Sequence, residues 1–112
     1  MNKYQEVLPI SKNQAKENLE TDDIEKITTT LVSIAFYEND WEWVQNICLE
    51  YLQHPNENIS GLAATCLGHI ARIHGKMDKK KVIAKLNKRL NDFQIGGRVE
   101  DAINDIEMYI KD

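Results

Sequence analysis

Long apolar runs are missing from this 112-residue sequence. No stretch approaches the roughly 20 apolar residues needed to cross a bilayer. The N-terminal MNKYQEVLPIS carries no apolar segment long enough for a secretory signal. Both absences point to a cytoplasmic protein with no membrane role. Alternation of β-branched and polar residues is missing too, which argues against strands. Cysteine is scarce: Cys48 and Cys66 only, both on apolar faces of predicted helices. They read as small core hydrophobes in a reducing compartment. A disulfide between them requires their helices to touch, which spacing alone does not show.

Chemical motifs are lacking as well. There is no Gly-rich phosphate loop, no nucleophile elbow and no supported Ser–His–Asp order. His69 and His74 are five residues apart, so they do not share a face as i, i+4 ligands would. His54 falls in a turn. A metal site would need Cys48 or Cys66 turned out of the core. No enzyme activity, metal or cofactor is therefore expected.

What is present fits one domain over residues 1–112, able to bury roughly 65% of its unfolded surface without covalent staples. Composition is ordinary for a globular protein, with 42% hydrophobic and 29% charged residues. The charge is unevenly spread. Residues 1–57 hold four basic and eleven acidic side chains, residues 71–90 eight basic and one acidic, and residues 91–112 two basic and six acidic. An acid–base–acid pattern argues against a simple nucleic-acid binder and suits a partner with a patterned surface.

Six helices are predicted. A short one starts at Ser11, with Gln14 completing a capping box, and runs to about Glu20. The second spans about Asp22 to Tyr37, capped by Thr21 or Asp22, and buries Ile24, Ile27, Leu31, Ile34 and Ala35. The third runs from about Trp41 to Gln53 behind an Asn39 or Asp40 cap. Its inner face carries Trp41, Val44, Ile47, Cys48, Tyr51 and Leu52, with Trp43 at the edge. Pro55 ends it. The fourth takes about Glu57 to His74, capped by Asn56 and closed by Gly75. From Asn58 to Ala71 it contains no charged residue. Ile59, Leu62, Ala63, Cys66, Leu67, Ile70 and Ile73 form a large apolar face; Gly61, Ala64, Thr65 and Gly68 form a second, small one. Two glycines inside a helix cost about 1 kcal/mol each relative to alanine, so close packing on that second face must offset them. The fifth helix, about Asp78 to Asn91, turns Val82, Ile83, Leu86 and Leu90 inward and Lys79, Lys81, Lys85, Lys88 and Arg89 outward. Gly96 and Gly97 break the chain before a sixth, about Arg98 to Ile110. That helix buries Val99, Ala102, Ile103, Ile106 and Tyr109 or Ile110.

Helical hairpins around a central buried helix indicate an all-α, short α-solenoid. The segment HPNENISGLAATCLG resembles the turn and second helix of a HEAT repeat at Pro55, Asn56, Ile59, Ala63, Ala64, Leu67 and Gly68. His54 and Ser60 stand where that repeat has Asp and Arg, which implies an isolated or degenerate repeat. DWEWVQNICLEYL followed by GLAATCLGHIARIHG, in an acidic chain of this length, also resembles small all-helical immunity proteins of bacterial contact-dependent growth inhibition and related polymorphic toxin systems. The resemblance implies 1:1 binding of a cognate toxin domain, often a nuclease, and blockage of its active site.

The residues suggest where. YENDWEW places Glu38, Asp40 and Glu42 beside Tyr37, Trp41 and Trp43; aromatics ringed by acids suit a hot spot for a basic protein. Against this, Trp41 also fits the core and Trp43 its edge. Glu100, Asp101 and Asp105 form a second acidic group, which a solvated helix face also explains. The lysines of residues 79–89 support an alternative, nucleic-acid binding, although only Phe93 is near for stacking. A general adaptor is the third reading.

Overall fold

Helix ends in this chain are set by short polar signals. The computed structural model describes residues 7–111 and contains six helices among them: α1 (Lys12–Leu19), α2 (Ile24–Tyr37), α3 (Trp41–Tyr51), α4 (Glu57–His74), α5 (Lys79–Asn87) and α6 (Gly96–Tyr109). No strand occurs among the described residues, so the all-α class stands. Part of the N-terminal stretch read above for a leader lies outside the described residues. No helix among those described is long and apolar enough to cross a membrane.

Caps account for most starts. Ser11 Oγ accepts from the Gln14 amide at 3.0 Å, but the reciprocal capping-box bond is absent, since the Gln14 side chain donates to Asn18 Oδ1 at 3.0 Å instead. Asp23 caps α2, accepting from the Lys26 amide at 3.1 Å. Neither Thr21 nor Asp22 does so; the Thr21 hydroxyl is taken up at the end of α1, donating to the Asn18 carbonyl at 2.8 Å. Asp40 caps α3 through the Trp43 amide at 3.2 Å, and Asn56 caps α4 through the Asn58 and Ile59 amides at 2.9 and 3.2 Å. Gly75, at φ 64°, closes α4 in the left-handed conformation that glycine adopts without a Cβ clash.

α4 packs against α2, α3 and α6, most extensively against α6. Its large face is buried at Ile59, Ala63, Cys66, Leu67 and Ile70. Its small face meets α6. A methyl built on Gly61 would meet the Arg98 side chain at 2.7 Å, and one on Gly68 would meet Asp105 Oδ2 at 3.0 Å and Ala102 Cα at 3.5 Å. The two contacts share an offset of 37 residues, so α4 and α6 run in the same direction. So do α1 and α3: Lys12 reaches Asp40 and Leu19 reaches Tyr51. Gln45 meets Asp78 and Leu52 meets Arg89, which sets α5 along α3 in the same sense. Cys48 and Cys66 are both buried and free. The neighbouring Cys66 thiol, then burial, raise the Cys48 pKa well above the ordinary thiol value.

Several expectations are corrected. Ile24, Ile73 and Leu90 are exposed rather than buried. Ile24 and Ile73 lie in terminal turns that project past their neighbours, and Leu90 follows the end of α5 in an irregular turn. Of the pair Tyr109 and Ile110, Ile110 is the buried one. α5 stops at Asn87, and α6 begins at Gly96, before the predicted Arg98. Gly96 and Gly97 thus sit in the first turn of α6. Gly96 is needed for close approach, because a Cβ there would lie 2.6 Å from the Leu90 carbonyl oxygen. Asp92 shapes that entry, accepting from the Gln94 and Ile95 amides at 2.8 and 3.1 Å.

Candidate functional site

The YENDWEW segment spans the end of α2 and the start of α3, and its charges are partly used by the fold. Tyr37 is exposed on the last turn of α2. Glu38 Oε2 accepts from the Asp40 amide at 3.0 Å and stiffens the turn. The Asp40 carboxylate pairs with Lys12 at 2.6 Å besides capping α3. The Lys12 hydrogen bond, then the Trp43 amide, lower the Asp40 pKa; the same bond raises that of Lys12. The Lys12 ammonium also lies 5.1 Å from the centre of a Trp43 ring. Trp41 and Trp43 are half-buried against the core. Glu42 stays exposed.

The α6 carboxylates separate. Asp101 and Asp105, one turn apart, share the side toward α4. Glu100 lies on the side of Glu107, which pairs with Lys79 of α5 at 2.9 Å. Asp105 is half-buried and sits 3.7 Å from Arg72 Nε.

A connected surface absent from the sequence reading joins the two regions. Tyr37 stands edge-on to Phe36, with ring centres 6.3 Å apart. Phe36 lies 5.0 Å from the His69 ring of α4. His69 Nδ1 contacts the Arg72 guanidinium, and Arg72 faces Asp105. The line Tyr37–Phe36–His69–Arg72–Asp105 crosses α2, α4 and α6. Burial, then the Arg72 charge, lower the His69 pKa against an opposing pull from Asp105. A guanidinium only donates, so Nδ1 is the acceptor in the contact with Arg72. The exposed Phe36 was the available sequence signal; it sits one residue before Tyr37 and outside the core stripe of α2.

The predicted basic face is smaller than its lysine count. Arg89 does not face out: it donates to the Leu52 carbonyl and pairs with Asp92 at 2.9 Å. Arg89, then the Gln94 and Ile95 amides, hold the Asp92 pKa below the usual value. Lys79 also turns in, donating to the Ile110 carbonyl at 3.2 Å. Lys81 reaches Asn46 Oδ1 at 3.2 Å. Lys80, Lys85 and Lys88 are exposed. Among the described residues no group of three His, Cys, Asp or Glu side chains is placed to hold a metal ion.

No family model matches the chain, and no curated protein does. A solved structure does. A chain in the crystal structure of a CDI complex from Cupriavidus taiwanensis LMG 19424 matches with a TM-score of 0.85 and 28% sequence identity. The match covers 97% of this chain and 98% of that one. The fold resembles a component of a CDI complex over 97% of the chain, extending the likeness first read from residues 40–52 and 61–75.

Proposed function

We propose that this chain is an immunity protein, which binds a cognate toxin domain 1:1 in the cytoplasm and neutralises it by covering its active site. The near-complete, two-way match to a chain of a CDI complex carries this reading. The shared directions of α1 with α3, α3 with α5, and α4 with α6 support a single domain of stacked, HEAT-like hairpins, a rigid surface for holding another macromolecule. The contact surface is the end of the stack where Tyr37, Glu38, Asp40, Glu42 and Trp43 meet Asp101 and Asp105 through Phe36, His69 and Arg72, with Glu100 at its margin. Tyr, Phe and Arg, flanked by carboxylates, have the composition of an interface hot spot. The excess of acid in residues 1–57 suits a basic toxin, in our reading a nuclease, whose cationic substrate groove the carboxylates would occupy.

The test is co-expression with the toxin domain encoded in the neighbouring reading frame. Growth should be restored, and titration calorimetry should give a 1:1 complex. Reversing Glu38, Glu42 and Asp101 together to lysine should slow association at low salt and weaken protection. Asp40 is left intact in that variant because it caps α3, and losing a cap costs about 1 kcal/mol on its own. Unchanged association would move the contact surface elsewhere; no complex with the wild-type chain would end the immunity reading.

A further inference from the structure

A groove of about 250 Å³ runs between α1 and α3, beyond the turn described above, lined by Lys16, Leu19, Glu20, Trp43, Ile47, Glu50 and Tyr51. Its floor is aromatic and fixed. Trp43, Ile47 and Tyr51 are half-buried against the core, and the Tyr51 hydroxyl donates to the Leu19 carbonyl at 3.0 Å. Its rim carries two exposed carboxylates, Glu20 and Glu50, against one ammonium, Lys16. Burial first, then the Glu50 and Glu20 charges, raise the Tyr51 pKa, so both carboxylates act on the floor. Trp43 already has a cation over one of its rings, the Lys12 ammonium.

We infer that this groove receives an arginine side chain from a basic segment of the protein partner, an assignment that rests on the immunity reading. A guanidinium is planar, so it stacks on Trp43 or Tyr51 while its five N–H donors face Glu20 and Glu50. Carboxylates beside an aromatic floor meet both needs of that group. Two rim carboxylates against Lys16, in a half of the chain with eleven acidic side chains to four basic, favour a cationic group here.

The groove is tested on the whole chain by ¹H–¹⁵N NMR with a blocked hexa-arginine peptide, using hexa-glutamate as control. Shifts should concentrate at the Trp43 indole, Ile47 and Tyr51, and disappear in the double variant Glu20→Gln/Glu50→Gln. Lys16→Ala should tighten binding several-fold. Absence of shifts there, their persistence in the double variant, or a centre at Asp101 and Asp105 instead would overturn the assignment. A second measurement uses the toxin domain of the neighbouring reading frame against Glu20→Lys/Glu50→Lys, with circular dichroism confirming the fold. Affinity should fall at least about 10-fold. If the wild type binds the toxin and the variant binds it equally well, the groove is not a contact but the immunity reading stands. If the peptide docks and the wild type ignores the toxin, the immunity reading fails, and with it the assignment to a toxin; a cation-binding groove remains.

Discussion

α4 and α5 are held in place by different physics. α4 lies among α2, α3 and α6 and buries ten of its residues, from Ile59 to Ala71. α5 buries only Val82 and Leu86. Polar ties do much of the remaining work. The fully buried Gln45 amide bonds twice to Asp78, accepting from its amide at 2.8 Å and donating to its carboxylate at 2.9 Å. Lys79 is tied to Ile110 and Glu107, Lys81 to Asn46, and Arg89 to Leu52 and Asp92. A helix that looks like a ligand-binding basic face in sequence is thus partly strapped down by its own cations.

The largest expected effect lies in α4. Leu67 is fully buried, so Leu67→Ala should cost about 3 kcal/mol through lost transfer energy and the cavity left behind. Urea unfolding measures it. Gln45→Ala comes next, at about 2 kcal/mol, because it removes a fully buried side chain together with both of its bonds to Asp78. Native-state hydrogen exchange should locate that loss in α5 while α4 stays protected; equal weakening of both helices would break the contrast. Lys79→Ala should cost less than about 1 kcal/mol, since the Glu107 side of its ion pair is open to water.

The smallest effect concerns His69. Its folded-state pKa is lowered from the ordinary 6.5. The unfolded chain therefore binds more protons, and stability rises with pH in that range. The contribution is complete above about pH 6.5 and is lost as pH falls toward the folded pKa. His69→Gln should flatten the dependence in thermal melts between about pH 7 and 5, before carboxylates with an ordinary value of 3.8 titrate.

The same contrast governs how much the sequence revealed. The ends of α4 were legible because Asn56 and Gly75 act on backbone within a few residues. Its faces were legible because burial follows a 3.6-residue period. The small face announced a close neighbour, though not that α6 would be it. α5 was misread where distance in sequence decides the outcome. Nothing local tells that Arg89 reaches the carbonyl of Leu52, or that Gln45 belongs in the core. Ile24, Ile73 and Leu90 kept the apolar period but lie where neighbouring helices no longer cover it. At the site, the aromatic and acidic residues of YENDWEW stood out. Lys12, which covers both Asp40 and Trp43, comes from 28 residues away in the chain, and His69 joins the surface only because α4 lies beside α2.

The shared direction of successive hairpins bears on how the chain acquires its structure. Each helix finds its principal neighbours within about one further hairpin of sequence, so loop-closure entropy is modest at every step. The α1–α4 half can collapse before α5 and α6 emerge from the ribosome. The flank of Gly61 and Gly68 has no cover until α6 follows, so docking of α6 is the expected closing step.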